Sequence, residues 1–226
     1  MTYLSMFLLS TYHIYRMNVD YGGWTLDVSV VIMMNVCKYS EFAYALQDGR
    51  TPTEKLTQEQ QEHSIGHIPS ILRYLGFCQF VPTAVIGTAI PFRMYENYIT
   101  LKNQYKDLPS PRKAVAKDMA YAILLLGVFV VHMLVFPLST MQDPSFSQWP
   151  FFSILVFGFF SVTTIRFKYY FGWKFSQGAV HASGISYHKG KDGSEHYNLV
   201  QTCNPEIVES TMHVRIKIAN WNMSVQ

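Results

Sequence analysis

Residues 119–138, MAYAILLLGVFVVHMLVFPL, contain no Asp, Glu, Lys or Arg. An α-helix needs about 20 predominantly apolar residues to cross the hydrocarbon core of a bilayer, and this run has that length. Helices in soluble cores are rarely apolar all round over such a distance. Residues 150–165, PFFSILVFGFFSVTTI, form a second uncharged block. It is slightly short, and the aromatic run KYYFGWK at 168–174 extends it into an interfacial belt. Charged residues make up 15% of the chain, against roughly 25% in a soluble domain. They gather in short connectors, while the apolar residues gather in blocks. This segregation predicts an all-α, polytopic transmembrane helix bundle.

Three further segments are apolar but less clean. Residues 1–12, MTYLSMFLLSTY, have no basic region before the block and no A-x-A-like site after it, which argues against a cleaved signal peptide. They read as the tail of a spanning helix whose beginning lies outside the sequence. Residues 24–46 are long enough to span but carry Asp27, Lys38 and Glu41. Residues 69–91 contain Arg73, Pro82 and Gly87, so they either span as a broken helix or dip in and return as a re-entrant segment. Irregular backbone at membrane depth is tolerated only where protein or water shields it.

The connectors predict orientation. Arg93, Lys102, Lys106, Arg112, Lys113 and Lys117 precede the first long block, and Arg166, Lys168 and Lys174 follow the second. The connector 139–149 has no Lys or Arg. By the positive-inside rule, 92–117 and 166 onward face the cytosol and 139–149 faces the lumen. The formal net charge of +3 is then mostly a topology signal. The basic residues do not interleave with aromatics in an RNA-binding pattern, so no nucleic-acid partner is expected. Internal repeats and low-complexity tracts are absent. Cys37, Cys78 and Cys203 lack metal-ligand spacing and read as small buried hydrophobes, so no metal is expected.

Polar residues inside apolar blocks are the first candidates for function. Lys38 and Glu41 are three apart, share a helix face and can neutralise each other. The alternative is a structural polar seam between packed helices. His132, alone within 119–138, reads as a packing residue rather than a catalytic base. After the last apolar block, 182–198 is polar and Gly-rich, and 208–218 alternates apolar and polar like a strand or a surface-lying amphipathic element. Asn222 then follows Trp221. By itself it reads as a loop or cap residue, or as the acceptor of an N-x-S glycosylation motif, which would need a luminal position.

Four stretches, in order, resemble the membrane-bound O-acyltransferase (MBOAT) family and its lysophospholipid acyltransferase branch. They are HIYRMNVDYGGWTLDVSVVIMMNVCKYSEFAYALQDG at 13–49, IPSILRYLGFCQFVPTAVIGTAIPFRMYENYI at 68–99, RFKYYFGWKFSQGAVHASGISY at 166–187, and NPEIVESTMHVRIKIANWNMSVQ at 204–226. The K-Y-Y-F-x-W and N-W-N-x-[ST] wordings are the most specific, and together the stretches cover nearly the whole chain. The chain departs from the branch where Asp27-Val28-Ser29-Val30 replaces a Gly-Pro-containing wording, and where Gln47 replaces a His before Asp48-Gly49.

The resemblance implies transfer of an acyl group from acyl-CoA, a co-substrate rather than a bound cofactor, to the free hydroxyl of a lysophospholipid in the endoplasmic reticulum membrane. It implies Asn222 as one catalytic residue and, as the other, a histidine in a later apolar helix. None of the eight histidines follows the motif, so none matches it. The chain accordingly reads as a partial domain over 1–226, cut at both ends and inactive alone. Asn222 suits a donor or positioner at the oxyanion, not a base. Lys38, Glu41, Trp173 and Trp221 are expected to line or brace the substrate chamber. Two other readings are an inactive paralogue that binds lipid or a partner, and a family member that acylates a protein or sterol. A transporter should show inverted repeats or paired broken helices, and neither is found.

Overall fold

The computed structural model describes residues 2–21, 28–84, 86 and 88–225. Asp27 and Gly87 lie outside them. The helices are α1 (Thr2–Val19), α2 (Val28–Asp48), α3 (Gln58–His63), α4 (Ile71–Cys78), α5 (Phe92–Ile99), α6 (Arg112–Val135), α7 (Leu138–Gln142), α8 (Phe151–Ser183), α9 (Pro205–Ser210) and α10 (Val214–Ala219). Strands β1 (His188–Lys189) and β2 (Glu195–His196) pair antiparallel in a small hairpin, with His188 opposite His196.

Two helices, α6 and α8, are long and apolar enough to cross a membrane. They run antiparallel against each other. Ser161 Oγ donates to the Phe136 carbonyl at 3.1 Å, and at the other end Asp118 meets Gln177 and His181. The apolar block at 119–138 is therefore most of α6. The helix starts earlier, at Arg112, because the charges of its first turns lie where protein or water receives them.

Helix α8 corrects the boundary read from hydropathy. It continues without a break for 33 residues, about 50 Å, well beyond a hydrocarbon core of about 30 Å. Its buried residues all lie at or after Ser161. Within the KYYFGWK run Tyr169 is exposed, whereas Tyr170 and Trp173 are buried in a core with Cys203 and Val208. Tyr170, Trp173, Lys174, Gln177, Val180 and His181 recur at three- and four-residue spacing, which puts them on one buried stripe. The helix stops at Gly184, whose φ of 84° is the left-handed cap that a Cβ disfavours. Its last carbonyl, Ser183 O, accepts from the Tyr98 hydroxyl at 2.7 Å, and just past the cap the Tyr105 hydroxyl donates to Ile185 O at 2.8 Å.

Segment 69–91 does not form a membrane-length helix. Helix α4 has 8 residues, about 12 Å, and gives way to a 3₁₀ turn with Pro82 at its start. The irregular backbone beyond it is shielded by α8, since Ser176 Oγ donates to Ile86 O at 2.7 Å and lies 2.6 Å from Thr88 Oγ1. The N-terminal helix is longer than its apolar block: α1 continues past Tyr12 to Val19, along α2. Between 208 and 218 the amphipathic alternative holds over the strand, as the end of α9 followed by the exposed α10.

Gly49, in the turn after α2, marks a close approach of two backbones. Its N–H and that of Ile65 both reach the Ala45 carbonyl, at 3.1 and 2.9 Å. A Cβ at Gly49 would land on the Ile65 carbonyl, which is backbone and cannot swing away. Gly49→Ala is expected to destabilise the protein by about 2–3 kcal/mol, read as a lower thermal-aggregation midpoint in detergent. An unchanged midpoint would mean that the two segments can separate freely.

Candidate active site

Asn222 sits in a turn built by two segments that cross behind it. Helix α10 ends at Asn220, whose side chain and main chain both return to the Ile216 carbonyl, at 2.9 and 3.2 Å. The segment 202–204 then runs alongside. The Asn204 N–H donates to Asn220 O at 3.1 Å, Asn204 Nδ2 to Asn220 Oδ1 at 2.8 Å, and the Met223 N–H to Thr202 O at 2.7 Å. Between these ties the Asn222 N–H points to the Cys203 sulfur. Burial pushes the Cys203 thiol up to about 11, so it stays neutral and serves as an acceptor. The Asn222 backbone is held at φ 50°, a left-handed conformation that Asn tolerates better than most residues.

Segment 202–204 is fixed in turn by α8. Gln177 Oε1 accepts from the Thr202 N–H at 3.3 Å and from the Thr202 hydroxyl at 3.2 Å, and Lys174 Nζ lies 3.4 Å from the same oxygen. Gln177 and Lys174 are buried. Trp221 wedges beside them, edge-on to Trp173 at 4.8 Å and to Tyr170 at 5.6 Å between ring centres. The two tryptophans therefore act from behind the turn, through the apolar core that carries it.

The product of these constraints is an amide with an unused end. Asn222 Oδ1 is buried and has no hydrogen-bond partner among the described residues. Its neighbours Met223 and Ser224 line a cavity of about 730 Å³. Opposite walls come from α2, with Cys37, Glu41 and Tyr44, and from α3, with His63. The volume lies in the usual range for a small-molecule pocket.

Lys38 and Glu41 share a face of α2 but do not pair with each other. Lys38 is 1% exposed and its Nζ donates to the Phe77 and Cys78 carbonyls, at 3.2 and 3.0 Å, at the C-terminal end of α4. Glu41 Oε2 accepts the Phe92 N–H at 3.0 Å, at the N-terminal end of α5. Each charge thus faces the helix end of opposite partial charge. Of the two, Glu41 is on the cavity wall and Lys38, Trp173 and Trp221 are not. His132 packs among Phe136, Phe160 and Phe167, with its Nδ1 buried and without a partner among the described residues.

Sequence reasoning missed Gln177, Thr202 and Asn204. A signal existed for the first: Lys174, Gln177 and His181 form a polar stripe at three- and four-residue spacing inside an otherwise apolar helix. Thr202 and Asn204 left none, because their partners lie 25 and 16 residues away.

Comparison with known proteins follows the same lines. The family model described as the membrane-bound O-acyltransferase family matches residues 5–226. A lysophospholipid acyltransferase of Schizosaccharomyces pombe is 30% identical over 217 residues, covering 90% of this chain and 42% of the relative. Lysophospholipid acyltransferase 6 of Drosophila melanogaster is 26% identical, covering 97% and 33%. Membrane-bound glycerophospholipid O-acyltransferase 2 of Homo sapiens is 25% identical, covering 90% and 43%. The chain thus spans about a third to a half of the length of these curated relatives.

Proposed function

The chain belongs to the membrane-bound O-acyltransferase family, and on that premise we propose that it carries the Asn-bearing part of a multi-pass endoplasmic reticulum acyltransferase. The reaction moves a fatty acyl chain from acyl-CoA to the free glycerol hydroxyl of a lysophospholipid. The hydroxyl oxygen attacks the thioester carbonyl, an ester C–O bond forms, the C–S bond breaks, and CoA leaves with the proton taken from the hydroxyl. A hydroxyl is a poor nucleophile at neutral pH, so a base must take that proton as attack proceeds. The resemblance puts this base on a later histidine, whereas all eight histidines here precede Asn222. Acyl-CoA enters as co-substrate, and no metal has a part in the scheme.

One observation carries this reading: the Asn222 amide is held at a left-handed turn with a buried oxygen that has no partner among the described residues, and the next two residues, Met223 and Ser224, line a 730 Å³ cavity. Unsatisfied buried polar groups are costly, so such an atom suits a substrate partner. The amide can receive the acceptor hydroxyl on its oxygen and offer its N–H₂ to the developing oxyanion. Lys38 and Glu41 brace the cavity's far side by tying α4 and α5 to α2. Trp173 and Trp221 brace the turn itself.

The test is transfer of a labelled long-chain acyl group from acyl-CoA by the natural full-length product that contains these residues. Lysophospholipids, a sterol and a serine-bearing peptide compete as acceptors. Label in phospholipid is the expected result. Label confined to the sterol or the peptide, or no transfer at all, would overturn it.

A further inference from the structure

A second cavity, of about 610 Å³, lies between the start of α6, the end of α8 and the β1–β2 hairpin, and shares Asn198 and Gln201 with the wall of the first. Three independent features give it the character of an anion site. The first is the α6 N-terminus: this helix has 24 residues, Pro111 stands at its N-cap position, and no side chain caps its first N–H groups. Ser110, Lys113 and Ala114, around that end, are part of the cavity wall. Uncapped N–H groups and the helix dipole together favour negative charge there.

The second feature is charge. Lys113 and Lys117 are one turn apart on the wall, and among the described residues no carboxylate lies within ion-pair distance of either. Of the three carboxylates on the same wall, Asp118 and Glu206 have side-chain partners. Asp118 Oδ2 lies 2.6 Å from His181 Nδ1 and 3.4 Å from Gln177 Nε2, and Glu206 holds the Tyr121 hydroxyl. Glu195 stands on the exposed hairpin.

The third is an unused buried nitrogen. His181 is 4% exposed and forms part of the wall, and its Nε2 is buried with no partner among the described residues. Nδ1 lies against Asp118 Oδ2 without a well-aligned hydrogen bond, and Nε2 is the ring nitrogen with no carboxylate beside it. A ring N–H at Nε2 would donate to a phosphate oxygen.

We propose that this cavity binds a phosphate ester, held by the α6 N-terminus, Lys113, Lys117 and His181. The inference rests on the acyl-transfer reading for which phosphate esters are relevant: either a phosphate of acyl-CoA or the phosphodiester of the lysophospholipid.

Equilibrium binding to the purified natural full-length product in detergent separates the two sources and does not depend on turnover. The probes are CoA, 3′-dephospho-CoA, a lysophosphatidylcholine and the matching phosphate-free monoacylglycerol. Lys113 and Lys117 are exposed, so a K113Q/K117Q double variant should fold like the parent. The double variant is expected to bind one phosphate-bearing probe at least about tenfold more weakly, with its phosphate-free or dephospho counterpart unaffected. H181F, which removes Nε2, should weaken the same probe. Loss for CoA assigns the site to the co-substrate, and loss for lysophosphatidylcholine assigns it to the acceptor. Equal affinity of parent and double variant for all four probes, or no phosphate-dependent binding by the parent, overturns the proposal. If acyl transfer is absent but lysine-dependent phosphate binding is present, the acyl-transfer reading fails and the site stands.

Discussion

Asn222→Gly is expected to lower acyl transfer by about 10²–10³-fold while leaving the thermal midpoint of the full-length product near that of the parent. Glycine is the informative replacement because the Asn222 backbone sits at φ 50°. Alanine would remove the amide and also strain the turn, by roughly 1–2 kcal/mol, so its effect on rate could be indirect. Glycine removes only the side chain and keeps the N–H that reaches Cys203. Asn222→Asp, which keeps the shape but exchanges the amide N–H₂ for an acceptor, is expected to lose activity to a similar degree. The loss should appear in kcat more than in KM, as for an interaction made chiefly in the transition state. A glycine variant that retains activity removes Asn222 from the chemistry. One that loses activity and stability together makes its role structural.

Lys38→Met should produce the largest change in stability, about 3 kcal/mol, with little effect on the KM of whatever protein still folds. Met fills a similar volume but cannot donate. The Phe77 and Cys78 carbonyls at the end of α4 would then be left without the Lys38 Nζ, in a site where that side chain is 1% exposed. Glu41→Gln is the contrasting case: it keeps an oxygen for the Phe92 N–H and should cost under about 1 kcal/mol. The midpoint for thermal aggregation in detergent reads both. If Lys38→Met instead leaves the midpoint unchanged and raises KM, Lys38 contacts substrate rather than bracing α4.

These two residues mark how far the sequence could be read. An ionisable pair inside an apolar segment was a sound reason to look at Lys38 and Glu41, because lipid does not tolerate charge without a partner. Their spacing suggested that they partner each other. In the fold each turns to the end of a different short helix, because the break in 69–91 supplies an exposed carbonyl end and an exposed N–H end within reach. The break was signalled by Pro82, but the destination of the charges was not. Similarly, the apolar block at 150–165 was plain, yet α8 continues to Ser183 because its second half is covered by protein rather than lipid. Hydropathy reports what a residue prefers, and Gln177 satisfies its preference through Asp118 and Thr202 on other segments, while Lys174 reaches Gln177 one turn along the same helix.

By itself, then, the chain's composition and pattern determined the helical class, the two helices long enough to cross a bilayer, and the resemblance that singles out Asn222. Each of these rests on local properties: runs of apolar residues, their period, and a short wording around one amide. The tertiary structure alone decided that Asn222 is pinned by Thr202, Cys203 and Asn204, that its buried oxygen has no partner among the described residues while Met223 and Ser224 line a cavity, and that His181 and the start of α6 meet in another. Those outcomes depend on contacts between residues 16 to 63 positions apart. Such contacts carry no periodic signature, because what selects them is the mutual burial of polar groups that must find partners once water is gone.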